Sequence, residues 1–316
     1  MKAIIYRRYG SPDELRLEEI EKPVPKEGEI LIGVRAASLN AYDLHFLSGT
    51  PFFLRMMGAG FLKPKLKPLG ADAAGTVEAV GPGVTDLKPG DEVYGCQHGS
   101  LAEFMCGPAK RFAPKPINLS FEEAAAVPMG ALTALQSLRD KGKIGPGQRV
   151  LVNGASGGVG NFAVQLAKLF ETEVSGVCRT SKMDFVRSLG ADEVLDYTRE
   201  DVTESGRPFD LILDVAAYRP VSRYRRIMKP GGRYVIAGGS MGAMIKVAMV
   251  PKMGTRTMTT MAARTNRDDL LTLKEYLESG RIKAYVDKRY PLAEAAAAFS
   301  YFKSGQVRGK IVVTVP

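Results

Sequence analysis

Apolar and polar positions alternate over short runs through the first 115 residues: EILIGVRAASL at 29–39, GTVEAVG at 75–81 and LAEFMC at 101–106, each bounded by Gly or Pro. A period of two broken by turn residues predicts the strands of an antiparallel, barrel-like unit, and the opening MKAIIYRRYG reads as one more strand. Near Ser120 the period changes. Ser120 and Glu123 have the spacing of a capping box ahead of an Ala-rich helical stretch, which Pro128 interrupts. From 148 to 240 strand and helix alternate: RVLVN, a helix through Lys168, VSGVC, a helix near 181–189, EVLDY, FDLILDV and RYVIAGG. That alternation predicts a parallel sheet flanked by helices, an α/β fold. The Met-rich run from Met241 to Ala263, with Lys246, Lys252 and Arg256, has no clear period; helices follow near 267–279 and 292–303, then a strand, KIVVTV, at 310–315.

The strongest chemical signal lies where RVLVN runs into Gly154, Ala155, Ser156, Gly157, Gly158, Val159 and Gly160 and then into an amphipathic helix. A tight strand-to-helix turn, close backbone approach to a diphosphate and close packing of helix on sheet all demand small residues. Backbone N–H groups and the positive end of the helix then face the anion. Against the G-x-G-x-x-G pattern the first glycine is replaced by Ala155, with Gly157 and Gly160 in place. The surrounding strands and helices make this a dinucleotide site. About 20 residues on, where a carboxylate would bind the ribose 2′-hydroxyl of NAD, the chain has Cys178, Arg179, Thr180, Ser181 and Lys182. Two cations and two hydroxyls suit a 2′-phosphate, so NADPH is the expected cofactor in preference to NADH.

At 316 residues the chain suffices for two domains. We expect one over 1–117 and 264–316 and the other over 118–263. The 44 Lys plus Arg against 34 Asp plus Glu give a charge of +10, which favours anionic partners. No long basic tract, aromatic-rich RNA-binding run or helix-turn-helix pattern accompanies it, so nucleic acid is not an expected partner. Three cysteines, Cys96, Cys106 and Cys178, form no disulfide framework and point to a reducing compartment. The N-terminus lacks the apolar core of a secretory signal, and we expect a cytoplasmic protein. Arg55 interrupts the apolar stretch from Pro51 to Leu62, leaving no uncharged run of the roughly 20 residues that span a bilayer.

SLNAYDLHFLSG at 38–49, PLGADAAGTVEAVG at 68–81, LKPGDEVYG at 87–95, AAAVPMGALTALQSL at 124–138, NGASGGVG at 153–160, LGADEVLDY at 189–197 and RGKIVVTV at 308–315 together resemble the medium-chain dehydrogenase/reductase superfamily. Within it the chain is similar to the zinc-free quinone oxidoreductase branch that includes zeta-crystallin, and closer still to the subgroup around the reticulon-4-interacting protein. The resemblance implies a GroES-like catalytic domain, a Rossmann domain, NADPH held between them and a homodimer. By position it implies that Ser156 to Val159 wrap the pyrophosphate, that Thr133 lies near the nicotinamide, and that Tyr197 meets the adenosine end beside Ser181 and Lys182. Gly238, Ser240 and Lys310 join the cofactor set on the same ground. The Gly-His-Glu motif of the zinc-dependent relatives reads Gly70-Ala71-Asp72 here, and their cysteine-rich loop is missing. Zinc catalysis is therefore not expected. Cys96, His98 and Cys106 are the remaining soft ligands, and their spacing matches no zinc pattern.

Asn40, Tyr42, Asp43 and His45 fall where a strand ends and, by the resemblance, the active-site cleft begins. His45 stands where the family often has Tyr. It is read as lining the pocket, with proton donation or a structural role as alternatives. Asn40 is a candidate amide donor to the acceptor oxygen, and Asp43 an orienting group for Asn40 or backbone. Direct hydride transfer to a quinone or activated carbon–carbon double bond needs little electrophilic help, whereas a simple aldehyde or ketone demands a stronger acid or a metal. A small, apolar, electron-poor acceptor follows. An NADP-linked alcohol or aldehyde oxidoreductase and a non-catalytic NADPH sensor are the alternatives. The segments 51–68 and 241–263 combine Met, Phe and cations, and fit an acceptor pocket, a dimer interface or peripheral contact with an anionic bilayer.

Overall fold

The computed structural model describes residues 1–52, 55–56, 60–64, 68–239, 241–249 and 255–316. In chain order the first elements are β1 (Lys2–Ile5), β2 (Arg16–Glu19), β3 (Glu29–Ser38), α1 (Ala41–Ser48), β4 (Asp72–Val80), β5 (Glu92–Cys96), β6 (Phe104–Pro108), β7 (Phe112–Pro114) and α2 (Phe121–Ala125). Then come α3 (Pro128–Gln136), β8 (Arg149–Asn153), α4 (Gly160–Leu169), β9 (Glu173–Cys178), α5 (Met183–Ser188), β10 (Glu193–Asp196), β11 (Phe209–Asp214), α6 (Val221–Tyr224), β12 (Met228–Ile236), α7 (Met241–Met249) and β13 (Thr257–Thr260). The chain ends with α8 (Arg267–Glu278), β14 (Val286–Pro291), α9 (Ala295–Lys303) and β15 (Lys310–Thr314).

Two compact units result: Met1–Met129 with Thr265–Gly280 and Ala284–Pro316, and Gly130–Arg264 with Arg281–Lys283. The first border falls after residue 129, later than the expected 117, because α2 packs on β3, β4 and β15 of the first unit. Ser120 caps α2 as its spacing predicts: its hydroxyl accepts from the Glu123 N–H while the Glu123 carboxylate accepts from the Ser120 N–H.

The first unit holds a hairpin-like pair, β1 with β2, and a seven-stranded sheet of order β14-β15-β3-β4-β5-β7, with β6 also pairing β3. All its pairings are antiparallel except β14 with β15. Ile30, Ile32 and Val34 on β3, Val77 on β4, Val93 on β5 and Ile311 and Val313 on β15 meet in one core, which Phe112 and Phe299 fill. LAEFMC enters the sheet only from Phe104, since Ala102 instead bridges Ala3 on the hairpin.

In the second unit β8 to β13 form a wholly parallel sheet of order β10-β9-β8-β11-β12-β13. Helices cover such a sheet on both faces, which is why Val150, Leu151 and Val152 are all fully buried and β8 reads as a continuous apolar run. The order reverses between β8 and β11, and the crevice at the carboxyl ends of these two strands is where such sheets take ligands. The described parts of the Met-rich run, without a period in the sequence, include α7 and β13.

Candidate active site

At that reversal the phosphate loop is built from glycines with distinct tasks. Gly154 makes the turn at φ +85°, a conformation that L side chains avoid. A Cβ on Gly160 would stand 2.1 Å from the Gly154 carbonyl oxygen, so only glycine lets α4 lie on the loop. Gly176 on β9 makes room for the buried Ala155 methyl, which a Cβ there would meet at 3.1 Å. Around Gly157 the space is open, with nothing nearer an added Cβ than the Gly154 oxygen at 3.5 Å. Asn161, in the first turn of α4, donates its side-chain N–H groups to the carbonyls of Gly157 and Gly158, both at 2.9 Å. This turns the loop carbonyls inward. Among the described residues no backbone carbonyl accepts from the N–H groups of Ser156, Gly158 or Val159. These residues fit a diphosphate. Asn161 escaped sequence reasoning because nothing in its neighbours marks it as more than a helical polar residue.

The elbow after β9 differs in part from expectation. Arg179 donates from Nε to the Tyr197 hydroxyl at 3.3 Å, joining two residues that the resemblance placed at the adenosine end. The Tyr197 ring in turn stands 5.2 Å from that of Tyr218. Although the elbow itself carries no carboxylate, the neighbouring β10 brings one: Asp196 is buried and accepts from the hydroxyls of Thr180 and Thr198. Burial raises the Asp196 carboxyl, but these hydrogen bonds and nearby Arg199 outweigh it and hold the group below the ordinary carboxylate value. Thr180 is therefore spent on Asp196 and corrects the expectation of two hydroxyls for the 2′-phosphate. Cys178 and Lys182 are buried, and burial pushes the Cys178 thiol up to about 11.

A polar network that the sequence did not disclose joins the two strands of the crevice. The Asn153 amide at the end of β8 donates to Asp214 Oδ1 at 2.7 Å and to the Tyr224 hydroxyl at 2.8 Å, and Tyr234 donates to Asp214 Oδ2 at 2.7 Å. Asp214 Oδ1 also accepts the N–H of Ala217 at 2.7 Å, fixing that residue at φ 47°. Gly238 packs so tightly behind β11 that a Cβ would lie 2.3 Å from the Val215 oxygen. Thr133 is buried on α3, and Ser240 lies outside the described residues.

In the first unit the strands β3, β4 and β15 bring Asn40, Asp72 and Lys310 together. Lys310 Nζ donates to Asn40 Oδ1 at 2.5 Å and to Asp72 Oδ2 at 3.1 Å, with all three residues buried. Asp72 Oδ2 also takes the Ser38 hydroxyl at 3.0 Å, and Oδ1 takes the Met129 N–H at 2.9 Å. Both Asn40 amide hydrogens are committed, one to Asp72 Oδ2 at 2.9 Å and one to the Ser38 carbonyl at 3.3 Å. Asn40 thus has no proton left for an acceptor oxygen, which corrects that expectation. Lys310, which the resemblance placed in the cofactor set, is here the buried partner of Asp72 within the first unit.

Asp43 accepts from the Asn40 N–H at 2.7 Å, the orienting role read for it. Burial pushes its carboxyl up to about 7; the Asn40 hydrogen bond opposes the rise and Asp72 adds to it. Tyr42 and His45 point elsewhere. His45 Nδ1 lies 3.0 Å from the Thr50 carbonyl, which accepts a proton from it, so a neutral His45 presents Nε2 as an acceptor and donates only as the imidazolium. Tyr42 Oη lies 3.4 Å from Nδ1 of His98, which the sequence offered as a metal ligand or, more often, a turn histidine. Burial lowers the His98 imidazole to about 4, and its Nε2 is buried without a partner among the described residues. An orphaned N–H costs more than an orphaned lone pair, so Nδ1 carries the proton and donates to Tyr42. The phenol, raised above its ordinary value by burial, keeps its own proton to donate.

Among the described residues no group of three or more His, Cys, Asp or Glu is placed to hold a metal ion. Cys96 is buried, which drives its thiol well above the ordinary value. Cys96, His98 and Cys106, the soft ligands that the sequence offered, form no such group. No helix among the described residues is long and apolar enough to cross a membrane. In the segment 51–68, read as a possible acceptor pocket, Phe52 is exposed, and Phe53 and Met57 lie outside the described residues.

Residues 26–117 match the alcohol dehydrogenase GroES-like domain and residues 189–313 the zinc-binding dehydrogenase family. The chain is 36% identical over 332 residues to a 2-methylene-furan-3-one reductase of Solanum lycopersicum, covering 99% of this chain and 79% of the relative. The same figures hold for a chloroplastic NADPH-dependent alkenal/one oxidoreductase of Arabidopsis thaliana. The solved quinone oxidoreductase of Coxiella burnetii superposes with a TM-score of 0.91 at 29% identity, covering 100% of this chain and 99% of that one. A doubly wound sheet with a glycine turn at its reversal, joined to a GroES-like unit, defines an oxidoreductase. The chain belongs to the medium-chain dehydrogenase/reductase superfamily, in its quinone oxidoreductase branch.

Proposed function

We propose that this enzyme uses NADPH to reduce a quinone or the activated double bond of an enone, without a metal. The observation that carries the reading is the elbow after β9, where Arg179 and Tyr197 are joined next to Ser181 and Lys182 at the end of the strand beside the phosphate loop. NADPH, when bound, supplies a hydride. The loop from Gly154 to Val159 holds the diphosphate by its outward N–H groups, and the Arg179 elbow holds the 2′-phosphate. Hydride addition to an enone carbon moves the electron pair to the carbonyl oxygen, and a proton from solvent or an imidazolium completes the product. A Tyr42 phenol that keeps its proton is suited to donating a hydrogen bond to that oxygen as charge develops. Acceptors of this kind need no Lewis acid, and among the described residues no cluster of three or more His, Cys, Asp or Glu stands ready to supply one.

Steady oxidation of reduced nicotinamide is the test, read by absorbance across quinones, enones and aldehydes with and without a chelator. Turnover of quinones or enones with NADPH, unchanged by the chelator, is expected; turnover confined to aldehydes or abolished by the chelator refutes the proposal. Arg179→Ala with Lys182→Ala should raise KM for NADPH about tenfold or more and leave that for NADH nearly unchanged, since each charge-assisted hydrogen bond contributes roughly 1.5–3 kcal/mol. Three free thiols support a reducing compartment, and the homodimer implied by the family resemblance belongs to the same proposal, with light scattering as its check.

A further inference from the structure

Between Asp43 and Asp72 the chain has no acidic residue over 28 positions, while Arg55, Lys63, Lys65 and Lys67 fall within the same span. The described part of this segment is pinned to the first unit by polar contacts. Arg55 Nε donates to the Gly49 carbonyl at 3.0 Å, and its guanidinium lies 4.2 Å over the Tyr9 ring. The Tyr9 hydroxyl donates to the Gly60 carbonyl at 2.6 Å. Gly49, at φ +62°, is needed for this fit, since a Cβ there would stand 2.6 Å from both Arg55 and Tyr9. With polar groups turned inward, the apolar side chains face out: Phe52 is 53% exposed, Met56 70%, Phe61 57% and Leu62 86%. Phe52 and Phe61 pack edge to face at 5.5 Å, so they form a patch, not scattered residues. Exposed Lys63 follows directly.

From this arrangement we infer that the face around Phe52, Met56, Phe61 and Leu62 docks on a phospholipid bilayer bearing anionic headgroups. Large exposed apolar side chains held outward, with exposed Lys63 beside them and no acid in this span of the sequence, match the two components of an interfacial membrane contact, acyl burial and headgroup attraction. A protein partner would serve as well for the apolar part, but an acid-free stretch of this length selects a uniformly negative surface. The inference is independent of the hydride-transfer reading, because it is measured as binding with no acceptor or cofactor present.

Flotation of the full chain with vesicles of phosphatidylcholine, alone or with phosphatidylglycerol added, tests it. Binding to the anionic vesicles is expected, with little to the neutral ones, and it should fall as salt is raised. Phe61→Ser with Leu62→Ser should lower the bound fraction tenfold or more, and Lys63→Gln about fivefold, the effect of one cation near such a surface. Thermal melting of each variant, expected to match the parent because these side chains are exposed, separates docking from misfolding. Equal binding to both vesicle types, no binding to either, or a double variant that still floats overturns the inference. So does a double variant that turns a dimer into a monomer by light scattering, which would assign the patch to a second copy of the chain.

Discussion

Lys310 and Asp72 are buried together, with the ammonium shared between Asp72 and Asn40. A buried pair contributes little relative to an apolar replacement of the same shape, but removing one partner strands the other charge. Lys310→Met should therefore cost about 3–5 kcal/mol in denaturant unfolding; a loss below about 1 kcal/mol would show that Asp72 is satisfied by Ser38, Asn40 and Met129 alone. Asp43 makes a pH prediction of definite sign. Its carboxyl titrates at about 7 in the native protein against an ordinary 3.8, so the native state holds the proton more tightly than the unfolded chain. The stability that this proton confers is complete below the unfolded value and is lost as pH rises through the native one. Asp43→Asn removes the dependence, so the melting temperature of the variant relative to the parent should climb between the ordinary value and about 7. A constant offset would mean that Asp43 is ionised throughout.

Among the elements, the turn from β8 into α4 poses a contest between two effects of one methyl group. Alanine is the better helix former by roughly 1 kcal/mol, so an exposed helical glycine gains from the change. At Gly160 the methyl would lie 2.1 Å from a backbone oxygen that cannot move without the loop. Overpacking of this kind costs roughly 1–3 kcal/mol, and the clash should win. Gly160→Ala is expected to weaken NADPH binding at least tenfold with the far-ultraviolet circular dichroism retained; unchanged affinity would show that the loop has room to give. This turn was legible in the sequence because strand, small residues and amphipathic helix are contiguous, so local rules suffice. Asp196 beside Thr180 was not legible, since it arrives on the neighbouring strand β10. The Asn40–Asp72–Lys310 cluster was hidden by the same physics on a longer scale: partners 238 residues apart in the chain meet only once β3, β4 and β15 share a sheet. The Met-rich run resisted for another reason, because α7 and β13 carry too few turns or alternations for a period to emerge.

At the scale of the whole molecule, the second unit is nearly one uninterrupted stretch, Gly130–Arg264, whereas the first is assembled from both ends of the chain. A chain ending at Arg308 loses β15, which lies between β14 and β3 in the seven-stranded sheet. Hydrogen exchange followed by mass spectrometry should find the amides of β3, β4 and β5 unprotected in this truncation and those of β8, β9 and β11 still protected. Equal loss in both would show that the units do not fold separately. During synthesis the same strand emerges from the ribosome after every other strand of its sheet. At about 5–20 residues per second, roughly 10–40 s pass between the emergence of residue 129 and that of Lys310. For that interval β3 has an open edge and the Asp72 carboxylate has no cation beside it, so the nascent N-terminal portion is a natural client for chaperones until its closing strand arrives.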